Sequence, residues 1–143
     1  MRPGLGFILS LLISSSLFAA DIHVKITDIR NDVGNIRLAI FDQAPAFPTK
    51  PELAVQKVVL PIQKSEDSYT SAHTFTDLAP GTYAISLIHD ENLNGEFDMV
   101  FFQPTEGYGT SNDIRGLFGP PSFRDAKFAL GDEDIELMIK VGY

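Results

Sequence analysis

The chain has no cysteine among its 143 residues. No disulfide framework can form, and no thiol chemistry is available. Small exported domains often use disulfides to supplement a small core, but a mature chain of about 120 residues can bury about two-thirds of its unfolded surface unaided. Basic clusters are also missing. Eleven Lys and Arg stand against nineteen Asp and Glu, for a formal charge of −8. That balance excludes nucleic acid and anionic lipid as expected partners and favours attraction of cations. No long segment carries the 3.6-residue apolar period of an amphipathic helix, and "PELAVQ" offers a turn of helix at most. There is no internal repeat and no low-complexity tract. G-x-S-x-G, H-E-x-x-H and a phosphate-cradling glycine loop are all absent. No enzymatic activity is therefore expected. A hydrolytic triad can be drawn from Ser111, His89 and an aspartate, but no spacing demands it.

Long apolar runs are confined to the first residues. "MRPGLGFILSLLISSSLFAAD" has one charge, Arg2, then an uncharged and mostly apolar stretch over residues 5–18, then Ala19 and Ala20. This is the layout of a secretory signal peptide with cleavage near Ala19 or Ala20. The run is short of the roughly 20 apolar residues of a membrane-spanning helix. The expected organisation is a signal over residues 1–20 and one domain over residues 21–143, periplasmic or secreted, with no membrane span in the mature protein. Loss of Arg2 takes the charge from −8 to −9.

What remains has period two. "DIHVKITD" alternates Ile22, Val24 and Ile26 against His23, Lys25 and Thr27, and "NIRLAIFD" sets Ile36, Leu38 and Ile40 on one face. The turn formers of "RNDVGN" between them predict a hairpin. "VQKVVLPIQ" is placed at a sheet edge by Pro61. "SYTSAHTF", "GTYAISLI", "DAKFAL" and "DIELMIKV" repeat the alternation, with Tyr83, Ile85, Leu87, Ile135, Leu137, Ile139 and Val141 inward. The expectation is all-β: an antiparallel, immunoglobulin-like or transthyretin-like sandwich of about seven strands. One Gly/Pro-rich stretch, residues 103–124, reads as a long irregular loop. Within it "FGPPSF" reads as a rigid turn packing Phe118 and Phe123, and Tyr108, Ser111, Asn112, Phe118 and Phe123 are candidate binding residues.

The densest chemistry lies in "HDENLNGEFD", residues 89–98. Asp90, Asn92, Asn94 and Asp98 supply side-chain oxygens on either side of Gly95, and Glu96 could add its carbonyl. The spacing matches D-x-[DN]-x-[DN]-G and the ninth position of a calcium loop. The twelfth position is Phe101 and no flanking helices are expected, which excludes an EF-hand. Such a loop needs another carboxylate, from Glu106, Asp113 or Asp125. Hard cations prefer oxygen to imidazole, so His89 reads as a supporting residue hydrogen-bonded to a carboxylate or carbonyl. Zinc on His89, Asp90 and Asp98 lacks a second His or Cys. The competing interpretation is structural: Asn94-Gly95 is a strong hairpin signal joining "TYAISLI" to "FDMVFF", with Asx-turns from Asp90 and Asn92.

"NDVGNIRLAIFD", "FTDLAPGTYAISLIHDENLNGEFD", "EGYGTSND" and "RGLFGPPSFRDAKF", with a terminal "GY", occur in order along the chain. Together they resemble the bacterial exported family known as domain of unknown function 2141. In that family the first loop looks like H-D-E-N-x-N-G-x-x-D, matched here from His89 to Asp98. A later motif looks like P-K-E-G-Y-G-F-S-N, from which this chain departs at Thr105 and Thr110. The "L-x-P-G-x-Y" turn is also similar to transthyretin-like and carboxypeptidase-regulatory-type sandwiches. The resemblance implies export and a β-sandwich, and no particular activity. The function expected is an exported binding module whose loop binds a calcium-type ion and orders a recognition surface for an exported or envelope ligand. The alternative is a metal-free module for a peptide, glycan or envelope protein.

Overall fold

In–out alternation holds from Ala20 to Ile26 in the first strand, β1 (Ala20–Ile29), where Ile22, Val24 and Ile26 are buried while Lys25 is exposed, and breaks at an irregularity before Ile29. The computed structural model describes residues 19–116 and 118–143. The expected export signal therefore falls almost wholly outside the described residues, and β1 starts one residue before the expected domain boundary. The further strands are β2 (Asn35–Phe41), β3 (Gln56–Leu60), β4 (Gln63–Ser65), β5 (Ser68–Leu78), β6 (Gly81–Asp90), β7 (Met99–Val100), β8 (Gln103–Pro104), β9 (Gly107–Thr110), β10 (Phe128–Leu130) and β11 (Ile135–Lys140). One sheet has the order β11-β1-β5-β4. The other has the order β10-β6-β2-β3, with β9 also on β6, and β7 and β8 form a separate two-stranded ribbon.

The two sheets enclose a core of Ile22, Val24, Ile26, Ile36, Leu38, Ile40, Phe75, Ile85, Leu87 and Ile139. A smaller apolar cluster covers the outer face of the second sheet. There Phe41 and Ala84 meet Phe47, Ala126 and Phe123, and the Phe47 ring stands edge-on to Phe41 and Phe123. Phe123 opens a four-residue helix, α1 (Phe123–Ala126), capped by the Ser122 hydroxyl, which accepts from the Asp125 amide. "DAKFAL" thus ends this helix with Asp125 and Ala126, passes Lys127 and enters β10 at Phe128. Phe118 does not pack as expected and is fully exposed.

Three features differ from the sequence reading. β1 and β2 are not a hairpin: β1 pairs with β5 and β11, and β2 with β3 and β6. Both strands bury one face in the same core from opposite sides, so the connection arches between sheets. Gly34 makes the arch, at φ +75 with the Asp90 carbonyl so close that a Cβ would overlap it. The sandwich is also not wholly antiparallel, because β1 and β11 run parallel, His23 facing Glu136.

The third difference lies in residues 103–124, which hold β8, β9 and short helical turns rather than one irregular loop. Gly107 and Gly109 are not turn residues. A Cβ at Gly109 would stand 2.8 Å from the Lys140 carbonyl oxygen, and one at Gly107 would overlap the Tyr143 ring. Both glycines let β9 lie close against the end of β11, where Tyr108 bridges Gly142.

Candidate functional site

Residues 89–98 hang from the end of β6, and the ladder decides their surroundings. β9 is antiparallel to β6 with His89 opposite Gly107 and Ser86 opposite Thr110. Glu106 therefore falls beside Asp90, while residues beyond Thr110 lie toward the other end of β6, more than about 13 Å away at ~3.3 Å per residue. Glu106 is buried, and its two oxygens accept from the Glu91 amide at 3.1 Å and the Asp98 amide at 3.3 Å. Asp113 and Asp125 are engaged elsewhere. Asp113 accepts from the Lys140 amide, and Asp125 bonds the Ser122 hydroxyl beside Arg124. Of the three carboxylates expected to complete a cation loop, only Glu106 reaches it.

Asp90 is fully buried. Its Oδ1 accepts from the Asn94 amide at 3.1 Å, and its Oδ2 from the Gly95 amide at 2.9 Å and from Arg37 Nε at 2.6 Å. Arg37 faces Ile88 across the β2–β6 ladder, so it sits diagonal to Asp90, and its guanidinium passes beneath Gly95. The carboxylate thus has a built-in counterion. Among the remaining oxygens, Asn92 Oδ1 accepts from the Asn94 amide and Asn94 Oδ1 from the Glu96 amide. The amide groups of Asn92 and Asn94 both donate to Asp98, at 2.6 to 3.0 Å. Asn92, Asn94 and Asp98 do converge; Asp90 Oδ1 shares the Asn94 amide with Asn92 Oδ1, while Asp90 Oδ2 is taken up by Arg37 and the Gly95 amide. Asn35 stands opposite Asp90, and its Oδ1 is buried without a donor.

The hairpin expected around Asn94-Gly95 does not form. β6 and β7 are not paired, and "FDMVFF" instead doubles back on itself as the β7–β8 ribbon, Met99 opposite Pro104 and Val100 opposite Gln103. Eight residues separate the ends of β6 and β7, too many for a two-residue turn, because the Asp90 carboxylate has wound the chain around itself first. At the ribbon's base the Thr105 amide donates to the Asp98 carbonyl at 3.0 Å.

His89 is fully buried. Its Nε2 donates to the Val33 carbonyl and its Nδ1 accepts from the Tyr143 hydroxyl, each at 2.7 Å. The same hydroxyl accepts from the Arg30 amide, and the Arg30 guanidinium covers the Tyr143 ring. Burial pushes the Tyr143 hydroxyl above the usual phenol range. Arg30 also pairs with Glu91, and that hydrogen bond holds the Glu91 carboxyl below its ordinary range. These contacts join the β1–β2 arch, the end of β6 and Tyr143.

Ser111 is likewise buried, accepting from the Ile85 amide and donating to the Ala126 carbonyl. With His89 and Ser111 each bonded to other groups, the drawn triad has no nucleophile–base pair. Asn112 donates to the Asp125 and Lys127 carbonyls, and Tyr108 is half-buried between Phe97 and Arg115. Of the five candidate binding residues, Ser111, Asn112 and Phe123 make contacts within the fold, and Phe118 is fully exposed.

Sequence reasoning missed two features. Asp21, His23 and Asp134 each bring a potential ligand atom within 4.8 Å of the others, a group able to hold a metal ion. Only the parallel β1–β11 pairing brings them together. The second feature is an apolar tip: Phe101 and Phe102 are 92% and 93% exposed, flanked by exposed Met99 and Val100. Among the described residues no helix is long and apolar enough to cross a membrane.

No curated protein sequence matches the chain. Among solved structures it is similar to a fimbrial assembly protein from Parabacteroides distasonis, at 7% identity and a TM-score of 0.45, covering 86% of this chain and 52% of that one. It is also similar to a leucine-rich repeat protein from Bacteroides thetaiotaomicron, at 13% identity and a TM-score of 0.38, covering 87% of this chain and 12% of that one. The chain thus spans about half the length of the first and a small part of the second. The family described as "Uncharacterized protein conserved in bacteria" (DUF2141) matches residues 24–137, from the middle of β1 into β11, and the chain belongs to that family.

Proposed function

We propose that this domain is an exported binding module in which residues 89–98 are a metal-independent scaffold presenting residues 99–106 to a ligand. The observation that carries the reading is the buried Asp90 carboxylate, neutralised by Arg37 Nε at 2.6 Å and held by two backbone amides. A loop that brings its own cation needs no dissolved one to fold. The apolar run over residues 5–18 followed by Ala19 and Ala20 supports action after export.

A second reading has a specific observation in its favour. Asn92, Asn94 and Asp98 meet within hydrogen-bonding distance, and the undonated Asn35 oxygen stands opposite Asp90. A calcium-type ion could replace the amide–carboxylate contacts if both amides turned their oxygens toward Asp98. With Asp90 bound to Arg37, the affinity would be at the weak end of about 0.1–1 mM, the range of extracellular modules. Thermal melts of the protein in millimolar calcium and in chelator separate the two. Equal melting temperatures are expected. A reversible rise of several degrees in calcium, lost on Asp98→Ala, would replace the scaffold reading with the cation-binding one.

A further inference from the structure

The turn between β7 and β8 is built against local preference. Phe101 and Phe102 are its two central residues, at φ 49 and φ 64. Positive φ at both positions is the I′ hairpin arrangement, which favours Asn-Gly and disfavours bulky side chains. Here the chain holds two phenylalanines in that conformation and leaves both rings in water, 92% and 93% exposed. Neither the fold nor the core gains from them. Strain combined with exposed aromatic surface marks a place where the benefit comes from outside the domain.

Successive residues of a ribbon point to opposite faces. Met99 and Val100 therefore make both faces of β7 apolar, at 51% and 54% exposure, and the phenylalanines cap the apex. A protein groove covers one side of such a ribbon and leaves the other wet; a lipid interface surrounds it. The base of the ribbon carries an excess of acid: Arg30 pairs with Glu91 and Arg37 with Asp90, which leaves Glu96, Asp98 and the buried Glu106 with no cationic partner among the described residues. From residue 91 to residue 106 the ionisable side chains are Glu91, Glu96, Asp98 and Glu106, with no Lys or Arg. An acidic collar beneath an apolar apex repels anionic headgroups and accepts neutral ones. From Asp98 to the apex is three residues, about 10 Å, comparable to the 5–10 Å by which interfacial elements enter a bilayer.

We propose that the Met99–Phe102 tip docks this domain reversibly on neutral, zwitterionic lipid surfaces, the phenylalanine rings entering the interface. The inference rests on the scaffold reading, since residues 89–98 set the direction of the ribbon.

The test uses the purified protein and phosphatidylcholine vesicles, in chelator, by flotation. The informative variant is Phe101→Asn with Phe102→Gly, which suits the turn and removes both rings. Wild type is expected to float with the vesicles, and less so when phosphatidylglycerol is added. The variant should lose about a hundredfold in partitioning, about tenfold per ring, while its melting temperature stays the same or rises. Two results overturn the proposal: wild type left unbound by phosphatidylcholine, or a variant that floats equally well. Self-association that the variant abolishes, without vesicle binding, would also overturn it and make the tip a protein-docking element. The calcium melts involve no lipid, so failure of the scaffold reading is told apart from failure of the tip.

Discussion

Replacing Arg37 with Met tests the internal counterion most directly. Methionine keeps much of the aliphatic stem but removes the guanidinium that lies 2.6 Å from Asp90 Oδ2. The Asp90 side chain is wholly buried, whereas that of Arg37 is 37% exposed. Breaking a buried ion pair from one side costs about 3–5 kcal/mol. Two features reduce that here. Water reaches the arginine, and Asp90 keeps its bonds from the Asn94 and Gly95 amides. About 2–3 kcal/mol is the expected loss, which for a domain of this size is a fall of roughly 6–15 °C in melting temperature. Asp90→Asn on the Arg37→Met background should recover only a minor part of it, because a neutral amide needs no counterion but sets its NH2 group against one of the two backbone amides that donate to Asp90. The four proteins of this cycle, followed by urea unfolding, yield the coupling energy. An Arg37→Met protein that melts within about 2 °C of wild type would refute the argument, since the buried Asp90 side chain would then be indifferent to its partner.

Two further predictions concern packing and acid. Gly109→Ala should destabilise by about 1–3 kcal/mol, because its Cβ meets the Lys140 carbonyl oxygen at 2.8 Å and the Ile139 side chain at 2.9 Å; an unchanged urea midpoint would show that β9 does not need the close approach. Glu91, its carboxyl held low by Arg30, contributes stability that is complete above its unfolded value of about 4.3 and is lost as pH falls through the lower folded value. The difference in melting temperature between wild type and Glu91→Gln should therefore shrink below about pH 4, and a difference constant from neutral to acid pH would count against the Arg30–Glu91 pair.

Much of the core was legible in the sequence because alternation reports burial directly. Ile22, Val24, Ile26, Ile36, Leu38, Ile40, Ile85, Leu87 and Ile139 were all assigned inward and are all buried. Alternation does not report hydrogen-bond partners, so adjacent β1 and β2 read as a hairpin when each belongs to a different sheet. The same limit hid the parallel β1–β11 pair and the group formed by Asp21, His23 and Asp134. Glycine misled for another reason: "EGYGT" carries the composition of a turn, yet Gly107 and Gly109 are there for close approach. At the loop, the residue types were readable and the partner was not. Arg37 sits on the outward face of a strand more than fifty residues away, and only the β2–β6 register brings it to Asp90. Phe101 and Phe102 read as a strand end because their exposure follows from a turn that neither residue favours.

The parallel contact between β1 and β11 has a consequence for biogenesis. Residues 22–27 meet residues 135–140, so a chain emerging from the ribosome N-terminus first cannot finish its first sheet until residue 140 has been made. Until then the wall facing Ile22, Val24 and Ile26 is incomplete, and contacts of such long sequence separation form slowly. A polypeptide wired this way closes into its final shape late, after its two distant segments have met.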